Sequence, residues 1–310
     1  MFALRGIAVS LTFFVLLYSL MSAIVAGAWR SLKWVNTTER KRADLLFRLR
    51  VLPFVAAVTI TLVFVVPSFQ LLEPRSIDEG LGTIPLALGI CALLLIAHAC
   101  FRVITAQITT SRVVAEWLEG TRPLNPSEHA VALQSRASPP LALVGVRHPK
   151  VLVSESAVAL LSGNELDIAL KHERAHMLSR DNLKKLVFRS CPFPGMAKLE
   201  SAWSETAELA ADDAAVSTLE DAVDLAAALV KLSRLASVKT TAVCTVGFVS
   251  GSVSARVARL LAWDEARKRQ PLRNGERYAI LPMSTILFCV VATYHPALAL
   301  THEVTEWLVR

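Results

Sequence analysis

Residues 170–183 read LKHERAHMLSRDNL. His172 and His176 stand four apart, with Glu173 directly after the first. On a helix, residues at that spacing share one face, about 6 Å apart along the axis. Two imidazoles so placed can grip one zinc ion, and the carboxylate next to the first can serve a water there. A chain of this composition would contain the pattern by chance roughly 0.01 times. The competing reading is a solvated helix face with an incidental histidine pair.

The surroundings bear on that choice. Ser162 and Glu165 have capping-box spacing and place a helix start upstream of the motif. Downstream, the helical pattern 197–217 contains ETAELAADDAA (205–215). A catalytic zinc takes three protein ligands and keeps one position open. Glu208 and Asp212 are four apart and share a face. Glu208 suits the third ligand, and Asp212 suits a partner for the far nitrogen of a ligand histidine. Spacing alone leaves Glu205 and Asp213 as rival ligands. Further helical patterns cover 219–237 and 252–269. Before the motif, AVALQS (130–135), LALVGV (141–146) and KVLVS (150–154) read as short strands between Pro, Ser and His-Pro turn signals.

The rest of the chain is apolar. Hydrophobic residues make up 54% and charged residues only 19%, which excludes an ordinary soluble domain. The mean hydropathy of +0.48 agrees. Segments 6–29, 51–72, 81–101 and 278–301 contain no Asp, Glu, Lys or Arg. Each is long enough to cross a bilayer as a helix, which takes about 20 residues. Arg5, the first apolar run and AGA at 26–28 also fit a signal peptide. The length of that run and the basic cluster behind it favour a retained span.

Residues 30–50 hold seven basic residues against two acidic ones, whereas 73–80 hold one against three. Arg102 and Arg112 follow the third span, and Arg267, Lys268, Arg269, Arg273 and Arg277 precede the fourth. Lys and Arg stay on the cytoplasmic side. The expected topology therefore puts the N-terminus outside, a basic loop 30–50 inside, the block 102–277 in the cytoplasm and the tail 302–310 outside. The net charge of +7 follows this membrane pattern, and no direct nucleic-acid binding is expected. The five cysteines form no C-x-x-C pair and read as free thiols. His98 and His295, inside apolar spans, read as packing residues; His129, His148 and His302 read as turn or surface residues.

HERAHMLSRDNL followed by ELAADDAA resembles the integral-membrane zinc metallopeptidases of the BlaR/MecR antirepressor type, relatives of the HtpX and CAAX-prenyl endopeptidases. Upstream, VRHPKVLVSESAVALLSGNELDIALKHE is similar to that family's strand–helix lead-in, and the likeness extends over about residues 100–270. The family pattern is H-E-x-x-H, an Asp about five residues later, then E-x-x-x-D on a following helix. His172, Glu173, His176, Asp181, Glu208 and Asp212 stand in those places. The resemblance selects Glu208 over its neighbours. It also makes Arg256, in SARVARLL, a candidate for contact with substrate or with a ligand, against a plain reading as a surface or headgroup arginine. Asp181 reads first as the residue that ends or caps the motif helix, and second as a partner of the site. The receptor-type relatives carry a penicillin-binding sensor after the last span. Nine residues follow Thr301 here, so the expectation is that this chain does not itself sense β-lactams.

What these readings imply is a mainly α membrane protein. Three spans within 1–101 and a fourth at 278–301 would flank a cytoplasmic α+β zinc-metallopeptidase domain at 102–277. The expected cofactor is one Zn2+ per chain on His172, His176 and Glu208, with Glu173 as general base. The expected setting is the inner (cytoplasmic) membrane with the site facing the cytoplasm. The expected substrate is a protein or peptide, such as a transcriptional repressor. Membrane quality control is a second reading, and a non-catalytic signalling scaffold is the reading from another class.

Overall fold

The computed structural model describes residues 2–31, 37–73, 82–124, 132–136, 138–235, 246–247, 253–263, 294 and 296–304. The described residues are mainly helical, and among them are one small sheet and three helices long and apolar enough to cross a membrane. The chain divides into two compact units.

The first unit gathers Met1–Ala28, Val51–His98 and the chain from Gln270. Helix α1 (Phe2–Ala28) packs through Val9 against Val65 and Phe69. The second apolar stretch is helix α2 (Glu39–Ile60), a π-helical turn at Thr61–Val65 and helix α3 (Val66–Leu72). Arg5 pairs with Glu73 at 3.0 Å, and the Thr12 hydroxyl donates to the Pro85 carbonyl at 3.0 Å. Leu4, Ile7, Leu20, Leu62 and Leu94 stand exposed, as helix faces turned to lipid do. The third long helix, α4, runs Thr83–Leu118. Most of the expected fourth span, 278–301, lies outside the described residues; 296–304 are helical.

One stretch differs from expectation. The basic segment 30–50 is not a loop throughout, because it is helical from Glu39. Ala43, Leu46 and Arg50 are its buried positions, three and four residues apart, which is the stripe of an amphipathic helix. The charge count that marks a cytoplasmic flank hid this periodicity.

The second unit comprises Trp29–Arg50 and Ala99–Arg269. Helix α4 ends near Gly120, whose φ of +69° is open to glycine without strain. A sheet follows in the order β1-β2-β4-β3-β5, from Arg122–Pro123, Ala132–Ser135, Leu141–Val144, Lys150–Ser154 and Val246–Gly247. Strand β2 runs parallel to β4, and the other pairs are antiparallel. All of Leu141–Val144 is buried because both faces of β3 are covered. Ala142 and Val144 meet Val114, Trp117 and Leu118 of α4, and Leu141 and Leu143 join the helical core.

Helix α5 (Glu155–Leu160) leads to α6 (Gly163–Ser179), which carries the motif. The capping box forms as expected: Ser162 Oγ accepts from Glu165 N–H, and the Glu165 carboxylate accepts from Ser162 N–H at 2.8 Å. Lys231 of α9 (Leu219–Leu235) holds that carboxylate at 2.7 Å, so the start of α6 is pinned from two sides. Helix α7 (Asp181–Ser190) follows α6 directly, α8 spans Ala197–Ala215 and α10 spans Val253–Leu261. Ala207, Ala210, Ala211 and Ala215 supply the small residues on the buried face of the later half of α8, which lets it lie close to other helices.

Candidate metal centre

Helix α6 turns His172, Glu173 and His176 inward, and each is at most 1% exposed. Helix α8 brings Glu208 to the same place. The two Nε2 atoms lie 3.1 Å apart. Glu208 Oε2 lies 3.7 Å from Nε2 of His172, and Oε1 lies 3.8 Å from Nε2 of His176. One ligand atom from each of the three residues fits within 4.8 Å of the others, as donors around a single metal ion would. The rival carboxylates are elsewhere: Glu205 is exposed, and Asp213 bonds Arg259 at 2.6 Å.

Each imidazole is oriented from behind. His172 Nδ1 lies 3.0 Å from Asp212 Oδ1, and His176 Nδ1 lies 2.7 Å from Asp181 Oδ2. A carboxylate at Nδ1 keeps the proton there and turns the Nε2 lone pair toward the shared point. The role of Asp181 was the less legible of the two. In one continuous helix a residue five positions on lies about 140° around the axis, far from the histidine. The chain instead breaks at Arg180, whose φ of 54° and ψ of 40° are left-handed. That turn ends α6, starts α7 and swings Asp181 back onto His176. Asp181 therefore does not itself end α6; the break is at Arg180, and Asp181 reaches the site through it.

Arg256, read from sequence as either a site contact or a surface arginine, is buried. Its Nε and Nη2 donate to Asp212 at 2.9 and 2.6 Å, and Nη1 lies 3.0 Å from Glu208 Oε2. A bidentate arginine is the geometry best suited to holding a buried carboxylate.

The charges in this core suit a bound cation. Glu173, Asp181, Glu208 and Asp212 are four carboxylates, each at most 3% exposed. Among the described residues, Arg256 is the buried cation in contact with them, and Lys184 reaches Asp181 from the margin at 3.6 Å. Buried charges persist only when compensated. Two cations against four carboxylates leave room for two further positive charges.

Without a metal, protons supply part of that charge. Burial opposes a charged His176, but Glu208 and Asp181 outweigh it and push the imidazole up to about 10. Burial also opposes the Glu208 carboxylate, yet His176, His172 and Arg256 hold it far below the ordinary carboxylate range. Asp212 is likewise held down, by His172 and Arg256 against its burial. Glu173 goes the other way: its complete burial raises its pKa. Both of its oxygens lack a hydrogen-bond partner among the described residues. The donor set, the paired orienting carboxylates and the charge balance all fit a divalent metal.

The chain matches no protein-family model and no curated protein.

Proposed function

We propose that this chain is a membrane-anchored zinc endopeptidase that hydrolyses peptide bonds on the cytoplasmic side of the inner membrane. The observation that carries this reading is the convergence of His172, His176 and Glu208 beside a fully buried Glu173 that has no hydrogen-bond partner among the described residues. His172 and His176 would hold the zinc through Nε2, and Glu208 through a carboxylate oxygen. Bound zinc polarises a peptide carbonyl and makes water acidic enough to attack near neutral pH. Glu173 takes the proton of the attacking water and passes it to the leaving amine. Asp212 and Asp181 keep both imidazoles in the binding tautomer, and Arg256 neutralises Asp212 and Glu208.

A transcriptional repressor is the substrate this reading favours, in keeping with the resemblance.

The experiment that tests the reading is metal analysis joined to product mapping. Purified wild-type protein should carry about one zinc per chain, as a mononuclear site implies. A His172→Ala/His176→Ala double variant should carry none; full zinc in that variant would place the site elsewhere. Mass spectrometry of cells making the wild type should show cleavage products that the variant lacks.

The topology has its own test. A reporter active only outside the cytoplasm should give no signal when fused after residue 120 and should give signal after residue 310. The reverse pattern would put the site on the outer face and revive the signal-peptide reading of the first span.

A further inference from the structure

Behind His176 the polar contacts continue. Asp181 accepts from His176 Nδ1 through Oδ2, and its Oδ1 lies 3.6 Å from Lys184 Nζ. Lys184 in turn donates to Asp44 Oδ1 at 3.0 Å, and its ammonium lies 5.6 Å from the centre of the Phe47 ring. Asp44 and Phe47 belong to α2. One turn further on, Arg50 of the same helix is 2% exposed. It donates to the carbonyls of Cys191 at 2.7 Å and Phe188 at 3.4 Å, where α7 ends, and to Glu200 on α8 at 2.8 Å. Helix α7 is thus gripped by α2 along its length, while its first residue sets the orientation of His176. The grip is on consecutive turns of α2: Asp44, Phe47 and Arg50. Beyond Arg50 the helix continues through Pro53 into the second apolar stretch.

We propose that Lys184 and Asp44 are positioning residues for His176, linking the ligand imidazole through Asp181 to α2, so that the hold on the metal depends on the placement of that helix. This rests on the zinc-peptidase reading for the metal at His176, and it deepens that reading by naming how the site is governed. Lys184 neutralises Asp181 and fixes the carboxylate that fixes the ring. Asp44 holds Lys184 in that place; without it the ammonium is free to swing toward solvent. A displacement of α2 therefore moves Lys184 first, then Asp181, then the imidazole, and needs no contact with substrate.

The test uses the full chain in detergent and reads metal binding, not cleavage. Zinc affinity is measured by competition with a chromophoric chelator, and ligand geometry by the visible spectrum of the cobalt(II)-substituted protein. Removing a partner that touches a ligand costs roughly 10- to 100-fold in metal affinity. Asp181→Asn should fall in that range. Lys184→Gln and Asp44→Asn, one and two contacts further out, should each lower zinc affinity about 3- to 10-fold, below the direct-partner range. Both should also shift the cobalt spectrum. Lys184→Arg should restore most of the affinity, and Arg136→Gln, which breaks an exposed ion pair with Glu155, should change neither readout. Asp44 is about one-third exposed, so Asp44→Asn carries the test even where Lys184→Gln does not fold. Wild-type affinity and spectrum in both variants would overturn the proposal. A loss in Lys184→Gln with none in Asp44→Asn would overturn the link to α2. A wild-type chain that binds no zinc would sink the peptidase reading, and this inference with it.

Discussion

Glu173→Gln should keep its zinc, keep its fold and lose at least about 100-fold in turnover, the lower range for general acid–base help. The substitution preserves size and removes the proton acceptor. Three features make the result sharp. Glu173 is fully buried, so solvent cannot stand in for the lost base without rearrangement. Its oxygens have no hydrogen-bond partner among the described residues, so no structural bond is broken by the exchange. Burial disfavours its charged form, so a neutral amide there should not destabilise the core. The measurements are metal content, thermal midpoint in detergent and the rate of appearance of the wild-type cleavage products. Glu208→Gln provides the contrast, because it should lower zinc affinity itself, and Asp212→Asn should lower it less. Normal turnover by Glu173→Gln would end the proposed mechanism. A zinc-loaded wild type that cleaves nothing, with its cellular phenotype intact in Glu173→Gln, would favour the signalling scaffold.

The parts of this architecture that were legible in the sequence are the local ones. The Ser162–Glu165 capping box, the three short strands and the break after α4 depend on residues within a few positions of one another. The His172–His176 pair was legible for the same reason, since four residues make one helical turn. Glu208 was not: spacing left Glu205 and Asp213 open, and their placement depends on which face of α8 meets α6. The resemblance chose among them. For Asp181 the contact with the site was the second reading and not the first, because one left-handed residue, Arg180, changes what a five-residue separation means. Glycine, asparagine or aspartate would mark such a turn, and arginine does not, so residue type carried no signal there. Arg256 and Asp44 lay beyond sequence reasoning of any local kind. Their partners are 44 and 140 residues away, Asp212 and Lys184 respectively. The helix at 39–50 was overlooked for another reason, because its seven-residue stripe was read for charge and not for period.

Arg256→Leu should be the most destabilising substitution in this unit outside the apolar core, and its cost should shrink in acid. The guanidinium bonds both oxygens of Asp212 and one of Glu208, with all three residues at most 3% exposed. Leucine fills similar space but leaves two buried carboxylates short of a cation. Breaking one side of a buried ion pair costs about 3–5 kcal/mol. For a unit of this size, 1 kcal/mol moves the thermal midpoint by about 2–4 °C, so a fall of roughly 6–20 °C is expected. The pH dependence follows from the carboxylates. Glu208 and Asp212 are both depressed in the folded state, from ordinary values of 4.5 and 3.8. Their pairing therefore stabilises the fold above the ordinary values and is lost as pH falls through the folded ones. In Arg256→Leu part of that contribution is already gone, and protonation relieves the buried charge. The gap between variant and wild type should be full near pH 7 and narrow in acid, where the folded variant takes up protons on Glu208 and Asp212 while the same carboxylates in the wild type stay ionised beside Arg256. Asp212→Asn placed on top of Arg256→Leu removes one uncompensated charge, so the double variant should melt above the sum of the two single losses. Melting curves in detergent from about pH 2 to 8, with and without added zinc, check all three points. A gap independent of pH, or a double variant that simply adds the losses, would mean that Arg256 acts by packing and not by charge.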